Sequence, residues 1–90
     1  MDLRFAASAF RHGITEDRAR YVVEHCACPL YPPDRREDEF VAFFGPDGNG
    51  VPLEVFGIEL DDGSVLVIHA MNLRNRYLDD YARVMECQNG

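Results

Sequence analysis

Three apolar runs joined by short glycine-bearing turns constrain this chain most: Phe40 to Phe44, Pro52 to Leu60 and Ser64 to Ala70. All three are rich in the β-branched and aromatic side chains that suit a pleated sheet. The connections Pro46-Asp47-Gly48-Asn49-Gly50 and Asp61-Asp62-Gly63 carry the glycines that tight turns need at positive φ, so the runs predict an antiparallel meander. Upstream, Phe5 to Arg11 reads as a short helix ended by Gly13. Thr15 then reads as an N-cap, followed by Glu16, Asp17 and an apolar face of Ala19, Val22, Val23 and Cys26, which predicts a second helix over about residues 16 to 26. Pro29, Pro32 and Pro33 break it, and the charged run Asp34 to Glu39 reads as a solvated loop that leaves Arg35 and Arg36 for solvent or a partner. Tyr77, Leu78, Tyr81 and Met85 repeat at helical spacing and predict a C-terminal helix from about residue 74 to 87. The expected fold is α+β over residues 1–90 as one domain: two N-terminal helices, an antiparallel sheet of three to four strands, and a C-terminal helix packed on it.

Ninety residues with 47% hydrophobic content supply one core, and a chain this small often gains stability from a partner or a second copy of itself. Sixteen acidic residues against nine basic ones leave a formal charge of −7, with a sequence pI near 4.7. Such a balance opposes non-specific attraction to nucleic acid or an anionic membrane, so any nucleic-acid site must be a local basic patch. Every basic residue is arginine. Cys26, Cys28 and Cys87 are odd in number and lack a disulfide framework's spacing, which points to reduced thiols in a cytoplasmic setting. The apolar runs are far shorter than the ~20 residues that span a bilayer, and the first residues lack a signal peptide's apolar region.

The stretch from Ile68 to Tyr77 concentrates the chemistry. His69 can carry a proton near neutral pH, and Arg74 and Arg76 present planar forks that match phosphate oxygens. Together they suit cleavage of a phosphodiester. In a regular strand His69 shares a face with Val65 and Val67, so the competing reading is a half-buried histidine bonded to a carbonyl. Arg74 and Arg76 could equally pair with Asp79, Asp80 or Glu59, and Tyr81 could meet a phosphate or simply pack in the core. Arg11 and His12 precede the turn glycine, where His12 either contacts RNA or caps the first helix. His25-Cys26-Ala27-Cys28 lacks the paired spacing of a zinc site, and Asp47-Gly48-Asn49-Gly50 lacks the ligand alternation of a calcium loop. Neither a metal nor a cofactor is expected.

The order of these elements and several local strings resemble the BrnT-type toxins, RelE-like ribonucleases of bacterial toxin–antitoxin pairs. Arg11-His12-Gly13-Ile14-Thr15 is similar to the family's Lys-His-Gly-Val-Ser type string. Glu39 to Gly45, Leu53 to Ile58 and Val65 to Ala70 resemble its three long strands, and Arg76 and Tyr81 match arginine and tyrosine in its closing helix. Where the family commonly has Ser-Ala-Arg, this chain has His69-Ala70-Met71. The resemblance implies RNA cleavage without metal; in a ribonuclease of that type the chemistry of the residues assigns catalysis to His69, Arg74, Arg76 and Tyr81 and RNA contacts to Arg11, His12, Arg74 and Arg76. It also implies a cognate antitoxin as partner and a bacterial cytoplasmic location. The acidic charge favours an alternative, a non-enzymatic interaction domain acting as a homodimer or regulatory partner.

Overall fold

A computed structural model of the protein describes residues 2–31 and 40–89; Pro32, Pro33 and the charged run containing Arg35 and Arg36 lie outside them. The described elements are β1 (Leu3–Phe5), a 3-10 turn (Ala7–Phe10), α1 (Glu16–His25), β2 (Phe40–Pro46), β3 (Pro52–Glu59), β4 (Val65–Asn72), a second 3-10 turn (Asn75–Tyr77) and α2 (Leu78–Asn89). One sheet has the order β1-β4-β3-β2. The expected meander is present, since β2 pairs antiparallel with β3 and β3 antiparallel with β4. Gly50 and Gly63 take the positive φ those turns require, at 85° and 87°.

Two expectations are corrected at the N-terminus. The helix read over Phe5 to Arg11 is only the short 3-10 turn, and Leu3–Phe5 is a strand that runs parallel to β4, pairing Leu3 with Val65 and Phe5 with Val67. The sheet is therefore mixed. The cause is tertiary: the outer edge of β4 carries unpaired backbone groups, and Val65 N–H donates to Asp2 O while Ala6 N–H donates to Val67 O. Local propensity over a few residues does not outweigh those bonds.

The helix α1 forms as its sequence predicts. Thr15 Oγ1 accepts from Arg18 N at 3.3 Å, and Glu16 and Asp17 occupy the first turn. Its apolar stripe of Ala19, Val22 and Val23 joins Val41, Phe43, Val55 and Val67 in one buried cluster. On the opposite face of the sheet, Val84, Tyr81 and Met85 of α2 pack with Phe40, Ala42, Phe44 and Phe56. At the end of the β2–β3 hairpin, buried Asp47 accepts from the N–H groups of Asn49 and Val51 and from Arg18 Nε, tying α1 to the turn. The Val51 and Arg18 bonds hold its carboxyl below the usual range.

The ladder between β3 and β4 is interrupted. Phe56 pairs with His69, but its successor Gly57 pairs with Val67, so Ile68 is an extra residue in β4. Gly57 is required there: a Cβ would lie 2.6 Å from Val65 Cγ1 and 3.2 Å from Leu66 O. Cys28, just after α1, and Cys87, near the end of α2, form a disulfide with Cα atoms 6.3 Å apart. This overturns the expectation of reduced thiols for Cys28 and Cys87, while Cys26 is free, and it removes the support that cysteine spacing gave to a reducing compartment. The pair is 59 residues apart in sequence, so no local spacing could announce it. No described helix is long and apolar enough to cross a membrane.

Candidate active site

The site is built around Glu54, a residue in the middle of β3 whose side chain is 0% exposed. Alternation along β3 sends Leu53 and Val55 into the α1 face and Glu54, with Phe56, to the α2 face. A carboxylate buried without partners would cost several kcal/mol, so its contacts decide whether it can stay charged. Arg74 N donates to Oε1 at 2.9 Å, while Arg74 Nε and Nη2 donate to Oε2 at 2.9 and 2.6 Å. His69 Nε2 lies 2.8 Å from the same Oε2. Three of the four bonds converge on Oε2 and one on Oε1, so both oxygens of the buried carboxylate accept.

Arg74 reaches this position because it is extended (φ −93°, ψ 154°), not helical. The sequence places the start of the C-terminal helix at about residue 74; the helix proper begins at Leu78, after the 3-10 turn. Having no helical partner, the Arg74 N–H is free to donate to Glu54. His69 owes its orientation to the bulge. Uninterrupted alternation would have left it beside Val65 and Val67, but the extra residue Ile68 moves it across the sheet to stack on Phe56, with ring centroids 4.8 Å apart. The face expected from sequence is thus corrected, and the bonding partner is a carboxylate, not a carbonyl.

The hydrogen bonding fixes the state of the imidazole. Burial holds the His69 pKa below the ordinary histidine value, against the opposing pull of Glu54, and Arg74 and His12 push in the same direction as burial. For Glu54, burial alone would raise the carboxyl, but the bonds from Arg74 and His69 outweigh it and leave the group below its usual range. Bonding to Glu54 also holds the Arg74 guanidinium up. At neutral pH the set is therefore carboxylate, guanidinium and neutral imidazole. An ionised carboxylate only accepts, so the proton of neutral His69 sits on Nε2 and the lone pair on Nδ1. Among the described residues no hydrogen bond engages Nδ1. A buried acid fixing a histidine tautomer in this way leaves the other nitrogen as a base.

Of the other residues singled out in the sequence, His12 stands with its ring edge toward His69, centroids 5.3 Å apart at 67°. Arg76 is exposed and lies over the Tyr77 ring at 5.4 Å, as does Arg74 from its own position. Tyr77 in turn packs on Phe56 and Phe44. Tyr81 belongs to the packed cluster under α2, where burial raises its phenol, and Arg11 is exposed at the end of the first 3-10 turn. His25 Nδ1 donates to Tyr21 O and Cys28 is in the disulfide, which removes the zinc reading of that segment. Sequence reasoning missed Glu54, Phe56 and Tyr77. The usable signal for Glu54 was a single charge inside the apolar run Leu53-Glu54-Val55-Phe56. Compared with protein-family models, curated proteins and solved structures, the chain matches none.

Proposed function

We propose that this protein is a metal-independent ribonuclease of the BrnT toxin type, in which His69 is the general base. The observation that carries the reading is the His69–Glu54 pair, which leaves a neutral imidazole nitrogen unengaged at a largely buried site beside Arg74. Nδ1 of His69 removes the proton from a ribose 2′-hydroxyl as its oxygen attacks the adjacent phosphorus. Arg74 spends Nε and Nη2 on Glu54, leaving Nη1 for a phosphate oxygen, and exposed Arg76 offers a whole fork. Tyr81 supports the site through packing.

RNA as substrate, not the cysteines, argues for a bacterial cytoplasm as the place of action. The antitoxin partner rests on the resemblance of the Arg11 to Thr15 string and the strands. The charge of −7 and the inward turn of the Arg74 fork favour a second reading, an interaction domain that forms a homodimer or binds a regulatory partner.

Expression of the wild-type chain should slow bacterial growth and degrade cellular RNA, and purified protein should cleave RNA. His69→Gln, at equal soluble level, should abolish the growth effect and lower cleavage by about 10²–10⁴-fold. A folded His69→Gln protein with undiminished cleavage would remove the base assignment. Wild-type protein that neither cleaves RNA nor slows growth would leave the interaction domain standing.

A further inference from the structure

We infer that His12 is the second catalytic side chain, the proton donor to the leaving 5′-oxygen, so that the site works through a pair of histidines. The inference rests on the ribonuclease reading and adds the group which that reading lacks.

Its first support is placement. The segment carrying His12 is held on the fold at three points: Ala6 N–H donates to Val67 O, Ser8 Oγ donates to Ile68 O at 2.7 Å, and Ile14, beyond His12, is buried in the α1-side cluster. Two of these anchors sit on Val67 and Ile68, at the bulge that turns His69 across the sheet. The backbone between anchors reverses at Gly13, whose φ of 80° suits glycine. The same irregularity in β4 therefore aims His69 and receives the segment carrying His12. The second support is availability. Its ring does not cap the preceding turn; it meets His69 edge-on at 5.3 Å, it is exposed, and among the described residues no hydrogen bond engages either nitrogen. Both imidazoles can thus lie within reach of one phosphoryl group.

The charged and titratable groups facing this pair are Glu54 from β3, with Arg74 following β4. Of the two histidines only His69 is bonded to Glu54, so they are not equivalent: one is held by a buried carboxylate, the other stands open to solvent. In the reaction, His69 Nδ1 takes the 2′-hydroxyl proton, the O2′–P bond forms, the P–O5′ bond breaks, and O5′ takes the proton from the His12 imidazolium. The products are a 2′,3′-cyclic phosphate and a 5′-hydroxyl. Solvent then removes the proton from His69 and returns one to His12.

The test compares an RNA oligonucleotide with a ribonucleoside 3′-(4-nitrophenyl phosphate), whose leaving phenolate needs no proton. His12→Ala is expected to lower RNA cleavage by about 10²–10⁴-fold and to retain near wild-type release of nitrophenolate. His69→Gln is expected to lose both reactions. Because His12 is exposed, the thermal midpoint of His12→Ala should match wild type. RNA cleavage unchanged in His12→Ala, or an equal loss on both substrates, overturns the inference while wild-type cleavage keeps the ribonuclease reading. Wild-type protein inert on both substrates overturns the two together.

Discussion

Glu54 shows at the scale of one residue why a sequence can display a site's chemistry without its wiring. His69, Arg74 and Arg76 were legible as residue types suited to phosphate chemistry, but the carboxylate that joins His69 to Arg74 was not. Its burial depends on neighbours distant in sequence, and no local pattern supplies that. The four bonds it accepts have a measurable consequence. The unfolded chain protonates His69 near pH 6.5, whereas the folded protein, mainly through burial, does so only at lower pH. Between those values the unfolded state binds more protons, so this contribution is fully present above about pH 6.5 and is lost as pH falls toward the depressed value. Glu54, whose carboxyl also lies below its usual range, adds stability present above about pH 4.3 and lost as pH falls through its folded value. Glu54→Gln should therefore destabilise the protein at pH 7 by about 1.5–3 kcal/mol and lessen the loss of stability on acidification below about pH 4.3. Chemical denaturation of both proteins at intervals from pH 7.5 to 3.5 measures this. Equal stability at pH 7 would show that the buried network contributes nothing.

Among the elements, α1 and the antiparallel meander of β2, β3 and β4 were read correctly. The helix over Phe5 to Arg11, the start of α2, the pairing of β1 and the bulge were not. The Thr15 cap, the stripe of α1 and the turns at Gly50 and Gly63 all follow from residues within a few positions of one another. The pairing of β1 with β4 and the bulge at Ile68 depend on residues far apart in sequence, and missing the bulge put His69 on the wrong face. Gly57 is the handle on this irregularity, because a Cβ there would meet Val65 Cγ1 and the Leu66 carbonyl. Gly57→Ala should cost about 1–3 kcal/mol and reduce RNA cleavage as the Glu54–His69 geometry shifts. Gly48→Ala is the matched control, since its Cβ would make only ordinary contact with Tyr21 at 3.9 Å. Urea unfolding and RNA cleavage measured on each variant separate the two. A Gly57→Ala protein as stable and active as the control would deny the bulge its role.

The whole molecule sets a sheet between α1 on one face and α2 on the other, with the site on the α2 face over β3 and β4. Sequence composition anticipated the apolar core and the α+β class, but not the Cys28–Cys87 disulfide, because only the completed fold brings the end of α2 to the segment after α1. The formal charge of −7 acts at this scale too. Under the proposed function, attraction to RNA would rest on Arg74 and Arg76 against an unfavourable background, so binding should be weak, and cleavage fastest at low ionic strength with a shallow salt dependence. Those conditions define the most direct test. Folded wild-type protein, in low salt with excess chelator, should cut a defined RNA and leave 2′,3′-cyclic phosphate and 5′-hydroxyl ends, as attack by the ribose 2′-oxygen requires. RNA left intact under those conditions, or fragments bearing 5′-phosphate ends, would contradict the account.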